Sequence, residues 1–314
     1  MARGINLFIY ICNYCNMRCR HCINGDTKLE TSTANSEDVI VWIEEAGRSS
    51  ISSLNFVGGE PFFYQDDLKR YCLKAKSEKL PTSITTNAYW ATSKERAIEV
   101  LKPMVGLTSL MLSSDVYHLE FVSRANIINA VEACFELGIY VTIVSICANK
   151  EDKELIWKTY EDYKSKVFIF PKKPMPMGAA EQIEIDRFVL SDEIERLPCV
   201  CAVNSFFVEM DGRVHACCAS LLSDDDLLVV GDFSKDCMSQ KIERFKQTPL
   251  FLYLYNYGPR GLGALLKKSP YYTEFSNKLY TCECDFCVDI LSSKERQAYF
   301  EERIIELNEA GEEH

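Results

Sequence analysis

The sequence predicts an α/β fold: a partial (βα)6 TIM-like barrel followed by a small C-terminal α+β domain. Three observations lead there. Short apolar segments alternate with amphipathic helical segments through residues 5–170, prolines at 171, 174 and 176 then break the repeat, and the cysteines gather into three groups. Such alternation implies a mostly parallel sheet with helical cover. Six units suit a partial barrel better than a closed eight-fold one, although periodicity alone equally supports an open doubly wound sheet.

The elements follow in order. Residues 5–11 (INLFIYI) are short, β-branched and aromatic, with no helical period, and predict a buried strand. Residues 35–47 (NSEDVIVWIEEAG) predict a helix with Asn35 as cap, Asp38 three residues on and Gly47 as its stop. Strand 51–57 ends at Gly58 and leads to a helix over about 65–78; strand 82–86 leads to helix 93–101. Strand 107–112 leads to helix 123–137, stopped by Gly138; strand 139–146 leads to helix 150–162; strand 167–170 closes the series. Residues 171–182 (PKKPMPMGAAEQ) predict a crossing loop and 191–197 a short helix. SFFVEM, a turn at Asp211-Gly212 and RVHACC predict a hairpin, and 293–310 a final helix. The expected domains are 1–180 for the barrel, 181–198 for a linker, 199–290 for the small domain and 291–314 for a helical tail.

Composition narrows the function. Against 46 Asp and Glu stand 35 Lys and Arg, a formal net charge of -11. That balance disfavours nucleic acid and anionic membranes as partners. The apolar run at 5–11 is too short to span a bilayer, and no small-residue cleavage pattern follows it. A cytoplasmic protein is expected. Fifteen cysteines in a long chain without a signal segment point to metal ligation in a reducing compartment rather than to disulfides.

The first group reads CNYCNMRCRHC over residues 12–22, and Cys15, Cys19 and Cys22 form C-x3-C-x2-C between the first strand and the first helix. Three thiolates on one loop hold three irons of a cubane and leave the fourth open. A zinc site would want a fourth ligand. Cys12 is read as a buried strand-end thiol. Gly58-Gly59-Glu60-Pro61 follows the second strand, and its glycines permit close backbone approach.

These motifs, in this order, resemble the radical SAM superfamily. The resemblance implies that Cys15, Cys19 and Cys22 hold a [4Fe–4S] cluster whose open iron binds S-adenosylmethionine (SAM), which an electron cleaves to a 5′-deoxyadenosyl radical. It implies that Gly58, Gly59, Glu60 and Pro61 meet the SAM amino group. His21 stands where the family often has an aromatic residue over the cluster. Polar residues at strand ends fit the same cavity, since ligands bind beyond the carboxyl ends of parallel strands: Thr86 and Asn87, then Ser113, Ser114 and Asp115, then Ser145. Arg124 is a candidate for the SAM carboxylate and His118 for substrate contact.

The second group resembles the C-x9–15-G-x4-C opening of SPASM and twitch domains, here Cys201, Gly212 and Cys217, with CECDFC at 282–287 following. The resemblance implies one auxiliary [4Fe–4S] cluster on Cys201, Cys217, Cys284 and Cys287, with Cys199, Cys218 and Cys282 as alternates. In a strand, neighbouring Cys217 and Cys218 point to opposite sides, which leaves Cys218 as a candidate hydrogen donor to a carbon radical. The expected activity is hydrogen abstraction from a ribosomally made peptide, giving epimerisation or a crosslink. A small-molecule dehydrogenase or mutase and a non-catalytic Fe–S or zinc interaction protein are the alternatives. A peptide or small-molecule substrate and a reductase such as flavodoxin or ferredoxin are the expected partners. Only fourteen residues precede Cys15, so a leader peptide is expected to use a surface other than an N-terminal winged helix, or a partner protein.

Overall fold

The computed structural model describes residues 4–24, 31–198, 204–217 and 228–311. They form two units, one mainly Ile5–Ile185 and the other mainly Asp186 onward. In the first, β1 (Ile5–Cys12), β2 (Ile51–Gly58), β3 (Thr82–Thr86), β4 (Leu107–Ser113), β5 (Tyr140–Ile146) and β6 (Phe168–Lys172) lie side by side in chain order. Every consecutive pair is parallel. The crossovers are α1 (Ser36–Gly47), α2 (Gln65–Ser77), α3 (Lys94–Leu101), α4 (Arg124–Leu137) and α5 (Lys150–Thr159). This is the expected (βα)6 arrangement.

Local chemistry accounts for the elements. In β1, Leu7, Ile9 and Ile11 are buried while Asn6, Phe8 and Tyr10 on the other face are half-buried, the period-two pattern of a covered strand. Burying each such aliphatic side chain contributes about 1.5–3 kcal/mol. Asn35 Oδ1 accepts from Glu37 N at 2.9 Å and Asp38 N at 3.3 Å, as a helix cap should. Gly47 is the last helical residue rather than a residue beyond the helix. Gly138, at φ 71°, caps α4 in the left-handed conformation. The fifth helix stops at Thr159, not at 162, because Tyr160 turns inward to meet the Ser114 hydroxyl at 2.6 Å.

The second unit holds strands Ser205–Val208, Arg213–His215 and Val229–Asp232, adjacent in that order, the last two antiparallel. Its longer helices are Met238–Gln247, Pro249–Lys267, Glu283–Leu291 and Lys294–Ala310. The 249–267 helix breaks at Gly258, whose φ of 60° no helix interior accepts, with Pro259 next. The first two helices lie outside the elements predicted above; for the second, Pro249 at its start and the apolar run after it are the signal. Phe245 packs at 5.3 Å from Phe206, 5.9 Å from Phe251 and 6.0 Å from Tyr255, centroid to centroid. No helix among the described residues is long and apolar enough to cross a membrane.

Candidate active site

The cysteine loop begins where β1 ends. Its backbone rests on the end of β2: Gly59 N donates to Cys12 O and Glu60 N to Tyr14 O, both at 2.7 Å. This explains the glycine pair. A Cβ on Gly59 would lie 2.2 Å from the carbonyl oxygens of both Asn13 and Tyr14, and one on Gly58 would lie 2.4 Å from Cys12 O. Cys19 is buried, and Cys15 and Cys22 are half-buried. The loop closes with Cys22 N donating to Cys19 O at 3.1 Å, and Cys22 O accepts from Ala179 N at 3.1 Å. Burial pushes the Cys15 thiol up to about 11, with the charges of Glu60, Cys19 and Cys22 adding to the effect. The three sulfurs thus share one electrostatic neighbourhood, and an all-thiolate set of three is the donor chemistry that iron–sulfur clusters take. Cys12 is fully buried and pushed up to about 12, chiefly by burial.

Glu60 is 1% exposed. Its carboxylate accepts from Thr86 Oγ1 at 2.7 Å, Asn87 N at 2.8 Å and Phe62 N at 3.1 Å, tying the end of β2 to the end of β3. The side chain is therefore committed to the protein. Of the Gly58–Pro61 motif, only backbone remains for a ligand. Thr86 Oγ1 also accepts from Trp90 Nε1 at 3.0 Å, and Trp90 stacks on Phe62 at 4.4 Å. Burial pushes Glu60 up from 4.5 to about 7, against the opposing pull of its three donors. The folded chain then keeps a proton that the unfolded chain has lost, so stability falls as pH rises from about 4.5 to about 7. Chemical denaturation of the wild type at pH 5 and pH 7.5 is expected to show that fall. Glu60→Gln is expected to abolish it and to cost about 1–3 kcal/mol at pH 5, since its amide faces the Asn87 N–H.

Beyond β4, Asp115 organises a second constellation. Its Oδ1 accepts from Tyr117 N and His118 N, both at 3.0 Å, and its Oδ2 accepts from Ile146 N at 3.0 Å. The same Oδ2 meets His118 Nδ1 at 2.8 Å and His21 Nε2 at 3.3 Å, and the two imidazole nitrogens are 3.2 Å apart. Burial opposes the charge of Asp115, but the hydrogen bonds from His118 and His21 hold it well below the usual carboxylate range. Burial likewise opposes a charged His118, yet its bonds to Asp115 and to the Cys19 sulfur raise it to about 10. Thus the loop after β4 is fastened to the cysteine loop. Asp115→Ala leaves three N–H groups, one buried and two part-buried, without their acceptor, and a loss of about 3–6 kcal/mol in unfolding free energy is expected by urea titration. Asp115→Asn, which keeps one acceptor oxygen, is expected to lose about half of that.

Asn87 joins the first constellation: its Nδ2 donates to Asn16 Oδ1 at 3.0 Å and reaches Cys15 Sγ at 3.8 Å. Ser113 is half-buried at the end of β4. Two candidates fall elsewhere. Ser145 shares the buried face of β5 with Val141 and Ile143 because of strand alternation, and its Oγ has no partner there. Arg124 is exposed, with Nε donating to Thr159 O at 2.9 Å and its guanidinium 5.8 Å from the Tyr160 ring centroid. Asn16 and Trp90 were not anticipated. Nothing local marks Asn16, whose partner Asn87 is 71 residues away, whereas Trp90 lies only four residues from its partner Thr86.

In the second unit, Cys217 is buried just after strand Arg213–His215. Cys282 sits at the cap position of helix Glu283–Leu291. Cys284 and Cys287, three apart and half-buried, share a face of its first turns. The Cys284 sulfur beside it is the main cause that holds the Cys282 thiol below its ordinary value. That contact brings Cys282 to the ligand candidates. Cys199, Cys201 and Cys218 lie outside the described residues.

A thiol loop on the end of β1, glycines that admit it and a parallel six-stranded sheet beneath define a class, and comparison agrees: residues 9–163 match the Radical SAM superfamily. The chain belongs to that superfamily and is a radical SAM enzyme, with a [4Fe–4S] cluster and SAM as its cofactors. Among particular proteins, it is 22% identical over 297 residues to YydG of Bacillus subtilis (strain 168), a protein named for peptide biosynthesis, covering 91% of this chain and 92% of that one. The structure of anSMEcpe with bound AdoMet superposes with a TM-score of 0.55 at 15% identity, covering 97% of this chain and 98% of that one. The anSMEcpe structure with AdoMet and the Cp18Cys peptide gives 0.54 at 14%, covering 96% and 98%. These two likenesses concern the fold.

Proposed function

We propose that this enzyme removes a hydrogen atom from a residue of a ribosomally made peptide and that the product is an epimerised peptide. The observation that carries the peptide part of this reading is the end-to-end relation to YydG, a protein named for peptide biosynthesis, which spans both units rather than the radical SAM segment alone; the epimerisation part rests on Cys218 as a candidate hydrogen donor. Cys15, Cys19 and Cys22 would hold the cluster, three thiolates for a site that also takes SAM. When bound, the cluster and SAM supply a reduced iron site and a sulfonium whose cleavage gives the hydrogen-abstracting radical. Around it, the backbone of Gly58 and Gly59 would meet the SAM amino group, Asn87 and Ser113 would offer polar contacts from the ends of β3 and β4, and Asp115 positions His118 and His21. Cys201, Cys217, Cys284 and Cys287, with Cys282 as an alternate, would hold the auxiliary cluster. Cys218 returns a hydrogen atom to the substrate Cα from the face opposite the abstraction. Its sulfur then takes one electron and one proton, with flavodoxin or ferredoxin as the electron source.

The test is the reduced, reconstituted enzyme with a peptide from a short reading frame beside its gene, run in deuterated solvent. Epimerisation predicts one solvent deuteron in the product and no other mass change. Loss of two hydrogens assigns a crosslink or dehydrogenation instead, and SAM cleavage that no peptide stimulates removes the peptide from the account.

A further inference from the structure

The inner face of the sheet extends past the groups described above. Along β5 and β6, Val141, Ile143 and Ile169 are buried on one face, while Tyr140, Thr142, Val144, Phe168 and Phe170 occupy the other. Register fixes the neighbours: Ser113 pairs with Val144, and Val144 with Phe170. Phe170 therefore stands on the same face as Ser113, two strands away, and Phe168 lies beside it across Thr142. Yet Phe168 is 65% exposed, Phe170 42% and Tyr140 80%. Strand β6 ends the sheet, and no strand among the described residues pairs with its outer side. Exposed apolar edge strands invite added strands, and proteins normally cover or blunt them.

The charge around this strand is also unusual. Between Asp162 and Glu181 there are four lysines and no acid, in a chain whose net charge is -11. Lys166 is engaged by Glu132 at 3.0 Å, whereas Lys172 is exposed, with its ammonium 5.2 Å from the Phe170 ring centroid. Pro171 donates no hydrogen bond, which confines a ladder on this edge mainly to Phe168–Phe170.

We propose that the free edge and exposed aromatic face of β6 dock an extended, acidic and apolar segment of the substrate peptide, which adds to the sheet as a further strand. Main-chain hydrogen bonds give such augmentation its affinity and alternate side chains its specificity. Here apolar side chains cover Phe168 and Phe170, a carboxylate meets Lys172, and continuity of the face leads the chain toward the ends of β4 and β5. The proposal rests on the peptide reading above.

The experiment uses the full reconstituted chain and a fluorescein-labelled peptide of alternating Leu and Glu, with alternating Leu and Lys as control. Anisotropy is expected to show the Leu/Glu peptide binding at least about tenfold more tightly than the control. Phe168→Ser/Phe170→Ser and Lys172→Glu are each expected to weaken it by at least about tenfold, with circular dichroism unchanged because these side chains are exposed. Equal binding of both peptides, or unaltered affinity in both variants, overturns the proposal. So does a concentration-dependent mass doubling that the double serine variant abolishes while peptide binding persists, which assigns the strip to a second copy of the chain. Failure of the peptide reading shows separately, as a wild type that binds the probe but modifies no peptide.

Discussion

Replacing Cys15, Cys19 and Cys22 together by alanine is expected to lower the iron of the reconstituted protein from about eight to about four atoms per chain and to abolish SAM cleavage. The magnitude follows from the ligand count. In the proposed function each of the three thiols would anchor one iron, and the adjacent Cys12 is not placed to take over, because it is fully buried at the end of β1 and pushed up to about 12. The cysteines near residues 282–287 belong to the other unit, so the auxiliary iron should survive. Iron and sulfide analysis with a 5′-deoxyadenosine assay under reducing conditions reads both effects. A wild type holding only about four irons removes the auxiliary cluster. A triple variant that still cleaves SAM removes the role given to the loop.

The second large effect is expected from a single methyl group. Gly59→Ala places a Cβ 2.2 Å from two carbonyl oxygens of the cysteine loop, Asn13 O and Tyr14 O. Neither atom is the flexible end of a side chain, so the loop backbone must move. That movement breaks the bonds Gly59 N to Cys12 O and Glu60 N to Tyr14 O. Loss of two buried backbone bonds and the accompanying strain should cost about 3–5 kcal/mol. More tellingly, the variant should retain its auxiliary iron while losing the N-terminal cluster, because the displaced segment carries Cys15 directly after Tyr14. Gly138→Ala is the comparison: it sits at φ 71° with nothing within 4 Å of an added Cβ, and should cost only about 1 kcal/mol and no iron. Equal iron in wild type and Gly59→Ala, measured with melting curves, contradicts the account of the glycine pair.

How much of this was legible beforehand divides by range in the chain. The strands at 5–12, 51–58 and 107–113 carry their own signals, and the cap Asn35 and the stop Gly138 act on their own helices, so neighbouring residues were enough. The same holds for the cysteine loop and the Gly58–Pro61 motif, whose chemistry is written in adjacent positions. Glu60 was legible as a residue but not as a role. Its three donors, at Phe62, Thr86 and Asn87, converge only when β2 and β3 lie parallel.

The sequence by itself determined that five helices follow five strands, that three thiols share one loop, and that glycines stand where another backbone must approach. Tertiary structure alone decided that Asp115 binds His118 and His21 together, that Ser145 turns away from the site, and that Phe168 and Phe170 stay exposed at the end of the sheet. The physical reason is that spacing along a chain fixes which atoms are neighbours over a few residues. Parallel strands joined by long crossovers bring residues about 30 to 100 positions apart into hydrogen-bond reach, and only the register of those strands selects the face each side chain takes.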